Sequence, residues 1–398
     1  MSELFSVEHR DPGSGARAGI LHLAHGEVRT PAFVPLATKA TVKGLLPAEV
    51  ASLGYEIVLG NTFHLFLEPG AEVIAAHGGL HEFMRWNGPI ITDSGGFQVF
   101  SMGHGTVADE VKGRASQVGR EGAILAIEEE GVRFRSYTDG RERFLGPEAS
   151  MEVQAALGSD IALAFDECTP FHVSREYTER STERTHRWLD RCVRWHAEHG
   201  PAGQVVYGIV QGGVHEDLRR ASARTVAAAQ CGGIAIGGSL GQDKEQMHAV
   251  VGWATAELPD ARPRHLLGIG EVDDLIRGVE LGIDTFDCAM PTRLARHGMA
   301  LVPDPQRRWR VDLNKAPARD SRAPILENCR CAACAGGHSR AYLRHLLRQR
   351  ELTGMRLVTL HNLTFIADLM AALREALVAG RLTQAAADLR AGAAPLAV

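Results

Sequence analysis

A chain of 398 residues, 45% hydrophobic and 23% charged, has a globular composition and length enough for one large α/β domain with an appendage, or for two medium domains. The start, MSELFSVEHRDPGSG, lacks the basic and apolar blocks of a secretory signal, and no uncharged apolar run reaches the roughly 18 residues of a membrane span. No membrane association and a cytoplasmic location are the expectation, and seven scattered or clustered cysteines do not make a disulfide scaffold. The net charge of −5 argues weakly against nucleic acid, but thirteen Arg and Lys against four acids between Pro291 and Arg350 leave a local balance of +9. A basic face on an otherwise acidic chain suits a polyanionic partner.

In chain order, short apolar runs alternate with helical periodicity. The runs are AFVPLA, EIVLGN, PIITDSG, DIALAFDE, QVVYGIVQG, GIAIGGS, RHLLGIG and GIDTFDCAMP. Helices are expected at Pro47 to Leu53, Pro147 to Leu157, Tyr177 to His199, Asp217 to Cys231, Lys244 to Ala256 and Val272 to Leu281. Eight alternations predict a closed parallel (β/α)8 TIM barrel, with a doubly wound open sheet as the alternative. Nearly every run ends in a polar or glycine-bearing motif: GNTFH, TDSGGF, FDECTP, VQGG, IGGS, GIGE, FDCAMPTR. In a barrel these gather at one mouth, whereas an open sheet concentrates them at one switch point, so the pattern favours the barrel.

Gly131 to Leu145 alternates around a DG turn and predicts a β-hairpin, and Met299 to Arg310 predicts a second short β excursion. A helix from about Ser339 to Arg350 and a turn at Gly354 follow; the Ala-rich tail after Arg381 is left without assigned structure. The expected division is a barrel with an N-terminal β-hairpin region at 1–300, a zinc-binding subdomain at 301–365 and a helical end packing on the barrel at 366–398.

CRCAACAGG brings Cys329, Cys331 and Cys334 into a spacing too tight for packing residues. With a histidine they make a closed tetrahedral, structural Zn²⁺ site; His361 is the best fourth ligand, with His338 and His345 as rivals. Asp93, Asp166 and Asp287 end strands without an obvious local partner. One such acid can serve to hold a loop, but two carboxylates facing an anomeric carbon are what glycosidic-bond cleavage requires. Ser94 lacks the frame of a nucleophilic serine, and the SGGF and GGS turns lack the lysine of a phosphate loop. Gly95 and Gly96 there read as close backbone approach to a flat ligand, or as a tight turn.

From about Phe5 to Arg390 the sequence resembles bacterial tRNA-guanine transglycosylases, the queuine-type base-exchange enzymes. The resemblance rests on GNTFHL, TDSGGFQVFS, GSDIALAFDECTP, GIVQGGV, FDCAMPTR, the cysteine cluster, SRAYLRHL and His361-Asn362. It implies a zinc-bearing barrel that exchanges guanine at the wobble position of GU(N) anticodon tRNAs for a 7-deazaguanine, 7-aminomethyl-7-deazaguanine, through a covalent Asp-tRNA intermediate in queuosine biosynthesis. Asp287 is implied as nucleophile and Asp93 as general acid/base. Ser94, Gly95, Gly96, Asp166, Gln211 and Gly238 are implied around the base, with Phe97 and Leu267 on its two faces. The RNA is expected along Gly268, Ile269, Gly270, Glu271, Val272, Asp273 and Asp274, and along Thr292, Arg293, Leu294, Ala295 and Arg296. Gln98 is expected to stand behind the residues that touch the substrate, Cys168 to shape the pocket wall, and two subunits to form a homodimer.

The sequence departs from the family at GGSLGQDKEQ, one residue short, with Gln242 about where a glutamate buttresses a peptide beneath the pocket. It departs again at Glu271, where lysine is usual, and by one extra residue between Cys334 and His361. Alternatives are queuine as the inserted base and a non-catalytic RNA-binding barrel subunit, which would lack one of the two aspartates. Archaeosine-type exchange would need a further RNA-binding domain, and a plain barrel glycosidase would have no use for the cysteine cluster.

Overall fold

In the computed structural model, which describes residues 4–104, 124–170, 172–238 and 240–395, eight three- to six-residue strands run parallel. They are β1 (Ala32–Val34), β2 (Val58–Gly60), β3 (Ile90–Thr92), β4 (Ile161–Leu163), β5 (Val205–Val210), β6 (Gly233–Ile236), β7 (Arg264–Leu266) and β8 (Thr285–Asp287). Each pairs with its sequence neighbour except that β1 pairs with β8, and a parallel bridge between Leu36 and Leu59 closes β1 onto β2. This is the expected (β/α)8 barrel.

The period-two alternation of a strand sorts side chains between two cores. Val34, Leu59, Ile91, Ile161, Leu163, Ile209 and Ala235 fill the barrel interior. Their neighbours Phe33, Val58, Ile90, Ala162, Val210, Ile234, Leu266 and Phe286 face the outer ring of helices. The interior is closed from below by the antiparallel sheet Phe5–Arg10, Arg17–Leu23 and Gly26–Thr30, whose Phe5, Leu21 and Val28 join that core. Two buried acids at the strand starts fasten this cap. Asp284 accepts Arg17 Nε (2.9 Å) and Nη2 (2.6 Å), while Asp160 accepts the His25 and Ile90 N–H groups at 3.0 and 2.8 Å.

The helices fall where the periodicity places them, within a few residues, and their starts are chemically marked. Ser174 caps Arg175–His199, Asp243 caps Lys244–Thr255 and Ser339 caps Arg340–Arg348, each accepting an N–H of the first turn. The hairpin Val132–Arg135 with Glu142–Leu145 forms as expected and gains a third strand, Ile124–Ile127. Phe134 from it packs on Phe63 with ring centroids 5.2 Å apart, which seats the hairpin beside the end of β2. Met299–Leu301 pairs with Arg310–Asp312 as the second excursion.

Two expectations are corrected. The chain reverses at 349–351, not at Gly354, which lies inside the helix Leu352–Val378; a Cβ there would stand 2.7 Å from Leu346 Cβ, so the residue permits close helix packing. The Ala-rich tail forms a helix, Leu382–Arg390, because Leu382, Ala386 and Leu389 recur at helical spacing and are buried. Leu352–Val378 has the length and apolarity of a membrane span, but 78% of its apolar window is buried in the fold, which makes it a core helix.

Removing one partner of a buried pair leaves an uncompensated charge. Arg17→Met should therefore lower stability by about 3–5 kcal/mol, read as a shifted midpoint in urea with little change in slope.

Candidate active site and metal centre

Because all eight strands point the same way, the polar motifs that end them meet at one mouth. Asp93 follows β3, and the chain after β2 comes to it: Asn61 Nδ2 donates to its Oδ2 and the Thr62 N–H to its Oδ1 at 2.8 Å. Gln98 Nε2 donates to the same Oδ2 at 3.1 Å. Asp93 therefore has local partners, contrary to the sequence expectation, and Gln98 is one of them. Burial pushes its carboxyl up to about 7; the Thr62 N–H opposes this and the negative charge of nearby Asp287 adds to it.

Asp287 is the last residue of β8. Its Oδ1 accepts the Gly268 N–H at 3.1 Å and lies 3.2 Å from His265 Nε2. Among the described residues no hydrogen bond reaches Oδ2. A carboxylate held by one oxygen presents the other, with its lone pairs unengaged, to the mouth.

Asp166, after β4, is buried; its Oδ1 accepts Ser94 Oγ at 2.9 Å and its Oδ2 accepts Gln211 Nε2 at 2.6 Å. Burial pushes Asp166 up to about 6 against these two bonds. The Gln211 amide oxygen is buried and has no hydrogen-bond partner among the described residues, so it can accept from a ligand. Gly238 closes on it: its φ is +78°, and a Cβ there would stand 2.2 Å from Gln211 Oε1. At Gly96 a Cβ would lie 2.5 Å from the Asp166 carbonyl oxygen, so glycine there makes room for the chain's own segment after β4. Leu267 is half-buried, with Cδ1 3.2 Å from a Cβ built on Gly237, and Phe97 is 42% exposed.

Beneath this floor Arg219, wholly buried, donates to the carbonyls of Gly213 (2.7 Å), Val210 (3.0 Å) and Gly237 (2.8 Å). Gln242 is exposed, its N–H donating to Gln246 Oε1 at 3.0 Å, so the support under the pocket comes from Arg219. Of the two segments expected along RNA, Gly268 and Arg293 are exposed, whereas Gly270, Val272, Asp274, Thr292 and Ala295 are buried and back the surface from within. Glu271 pairs with Arg310, and Asp273 Oδ1 accepts Trp309 Nε1 at 3.1 Å, tying the loop after β7 to the second β excursion. Arg296 has a buried Nη1 without a partner among the described residues.

The second centre is the cysteine cluster. Cys329, Cys331 and Cys334 place their sulfurs 3.7, 3.5 and 3.5 Å from His361 Nδ1, and the four ligand atoms all lie within 4.8 Å of one another. Tetrahedral coordination with ordinary metal–sulfur and metal–nitrogen bonds gives S···N edges of about 3.5 Å. His361 Nε2 lies 2.7 Å from the Leu301 carbonyl oxygen, which turns Nδ1 toward the thiolates. These residues fit a metal ion, and His361 completes the set ahead of its rivals.

Sequence reasoning missed Asn61, Thr62, Arg219 and His265. The first two stand in the GNTFHL motif, which ends a strand and contributes to the resemblance without marking either residue as a partner of Asp93. His265 carried a readable signal, a polar residue at an interior position of an apolar strand.

Three carboxylates at the mouth of a barrel, on a chain that also carries a Cys3His cluster and a basic segment, are the equipment of a barrel enzyme suited to chemistry at a glycosidic carbon. The family described as queuine tRNA-ribosyltransferase matches residues 11–394. A queuine tRNA-ribosyltransferase of Roseiflexus sp. (strain RS-1) is 48% identical over 397 residues, 98% of this chain and 99% of its own. Those of Pelotomaculum thermopropionicum and Moorella thermoacetica are 46% and 47% identical, each over 96% of this chain and 97% and 96% of theirs. The chain belongs to the queuine tRNA-ribosyltransferase family.

Asp93 has a raised folded-state value, so between about pH 4 and 7 the folded chain keeps a proton that the unfolded chain has released. Its contribution thus makes stability fall as pH rises through that window and level off above it. Asp93→Asn should remove this part of the decline, measured by urea unfolding from pH 4 to 8.

Proposed function

We propose that this chain exchanges guanine at the wobble position of tRNAs with GU(N) anticodons for 7-aminomethyl-7-deazaguanine, with Asp287 as nucleophile and Asp93 as general acid/base. Family membership makes it a tRNA-guanine transglycosylase, a glycosyltransferase of queuosine biosynthesis that acts on tRNA and a purine-like base. The observation that most supports the residue roles is the asymmetry of Asp287, bonded at Oδ1 and unengaged at Oδ2, beside a second acid poised near neutrality.

In the first displacement an electron pair on Asp287 Oδ2 forms a bond to the ribose C1′, and the C1′–N9 bond breaks toward the departing guanine. In the second, N9 of the incoming base attacks C1′, the ester bond breaks back to the carboxylate, and Asp93 takes the N9 proton. Two displacements retain the anomeric configuration. A carboxyl near 7 holds or releases that proton at neutral pH with little bias, as a general acid/base requires.

The flat base would lie between Phe97 and Leu267. Asp166 would accept its N–H donors and the Gly238 backbone would assist. Gln211 would turn its amide to the base edge, the only part of a flipped-out base that carries its identity. Ser94 would hold Asp166, and Gly95 and Gly96 would let the base approach the backbone. Gly268 to Asp274 and Thr292 to Arg296 would flank the anticodon loop, exposed Arg293 meeting its charge directly and half-buried Arg296 adding a positive charge beside it.

Zn²⁺ is the metal proposed for Cys329, Cys331, Cys334 and His361. Four protein ligands leave no open position, so its part is to hold the subdomain together. The same reading keeps the division at 1–300, 301–365 and 366–398, a cytoplasmic location with the tRNA, and a homodimer. Exposed Tyr342 and Leu352 offer apolar surface that a second copy would cover.

Incubation with a GU-anticodon tRNA and labelled guanine should incorporate label, and its absence would defeat the enzyme reading. Asp287→Asn should abolish a denaturant-stable tRNA adduct, while Asp93→Asn should keep the adduct and lose exchange; loss of the adduct in Asp93→Asn alone would reverse the two roles. The wild-type chain should contain one zinc per subunit by elemental analysis, and His361→Ala should lose most of it together with thermal stability.

A further inference from the structure

His265 stands on β7 at a position that faces the barrel interior, where most strands place apolar side chains. It is wholly buried, and the parallel register sets it opposite Thr285 of β8. Thr285 and Asp287 are two residues apart on one strand and so share a face, and one imidazole reaches both. His265 Nδ1 lies 2.8 Å from Thr285 Oγ1 and Nε2 lies 3.2 Å from Asp287 Oδ1. The Gly268 N–H adds a second donor to the same oxygen at 3.1 Å.

From this geometry we infer that His265 is the positioning residue of the nucleophile. With Thr285 it forms a relay that fixes which oxygen of Asp287 attacks and holds the other through both displacements. The inference rests on the reading of Asp287 as nucleophile. A carboxylate is symmetric about its Cβ–Cγ axis, and a quarter turn of the group would point neither oxygen at the anomeric carbon. Two donors on Oδ1 remove that freedom.

Thr285 Oγ–H donating to Nδ1 places the imidazole proton on Nε2, where it can donate to Asp287; no proton leaves His265 at any stage. When Oδ2 bonds to C1′, Oδ1 becomes the ester carbonyl and keeps both donors. When the ester breaks, the electron pair of the Oδ2–C1′ bond returns to the carboxylate, whose restored charge is again met at Oδ1. The residue thus acts through Asp287 and never touches the substrate.

The test is the single-turnover rate of covalent adduct formation at saturating tRNA, with the tRNA KM measured alongside. His265→Phe removes the donor and His265→Gln restores an N–H at about the place of Nε2. Loss of one hydrogen bond to a charged group predicts adduct formation about 10- to 100-fold slower in His265→Phe at unchanged KM, with recovery to within a few-fold in His265→Gln. A wild-type rate in His265→Phe, equal loss in both variants, or a loss confined to KM would overturn the proposal. Should His265→Phe fail to fold, as judged by lost metal content, Thr285→Val decides: a several-fold slower adduct at unchanged KM supports the relay, and a wild-type rate removes it. Asp287→Asn, run in parallel, separates the two readings, because an adduct surviving there would defeat the nucleophile assignment itself.

Discussion

Closure of the parallel barrel is the constraint on which the rest of the molecule depends. Once β1 pairs with β8 and Leu36 bridges to Leu59, every strand delivers its C-terminal residue to one rim, whatever its distance in sequence. Asp93, Asp166 and Asp287 are thereby crowded into one partly dehydrated space, where each carboxylate meets a different environment. The same residue type gains distinct chemistry from position alone: burial raises Asp93 to about 7, with the charge of Asp287 adding to it, and raises Asp166 to about 6 against two hydrogen bonds that favour its charged form. Asp287 differs in a third way, by leaving one oxygen unengaged among the described residues.

Rigidity at the rim comes from below and from behind. The N-terminal sheet closes the opposite end through buried Asp160 and Asp284, so the interior is packed and the strands cannot slide. Arg219 draws the carbonyls of Val210, Gly213 and Gly237 toward one buried guanidinium and fixes the backbone on both sides of Gln211. The metal centre is coupled to the same rim by one residue. Asn362, next to His361, accepts the Leu301 N–H at 2.8 Å and donates to the carbonyls of Pro291 and Met299 at 2.9 and 3.0 Å. The helix that carries His361 therefore holds, through Asn362, the segment directly after Asp287, the one that carries Arg293 and Arg296, so an ion bound by the cluster would steady that segment from outside the barrel mouth.

Much of this was legible in the sequence because its signals are local. Alternating strands and helices, caps at Ser174, Asp243 and Ser339, the hairpin around Asp139-Gly140 and the spacing of the three cysteines all depend on neighbours within a few residues. Strand-end position marked the aspartates and the cysteine spacing called for His361; the resemblance supplied the roles of the acids, and the geometry brings those residues together. What was misread also has a local cause. Gly354 looked like a turn because glycine usually breaks helices, yet tight packing against Leu346 requires it inside one. The Ala-rich tail gave weak periodicity, and only burial of Leu382, Ala386 and Leu389 against the fold makes it a helix.

By itself the sequence determined the barrel, the three cysteines and one histidine that fit a metal and the pair of acids proposed for the chemistry, since each is written in residue type and short spacing. Tertiary structure alone decided what surrounds those groups. That Asn61 and Thr62 come to Asp93, that Arg219 lies under the backbone around Gln211, and that His265, itself met by Thr285, reaches one oxygen of Asp287 are facts of strand register and burial. Such contacts join residues tens of positions apart, and their strength depends on dehydration, which no short stretch of sequence encodes.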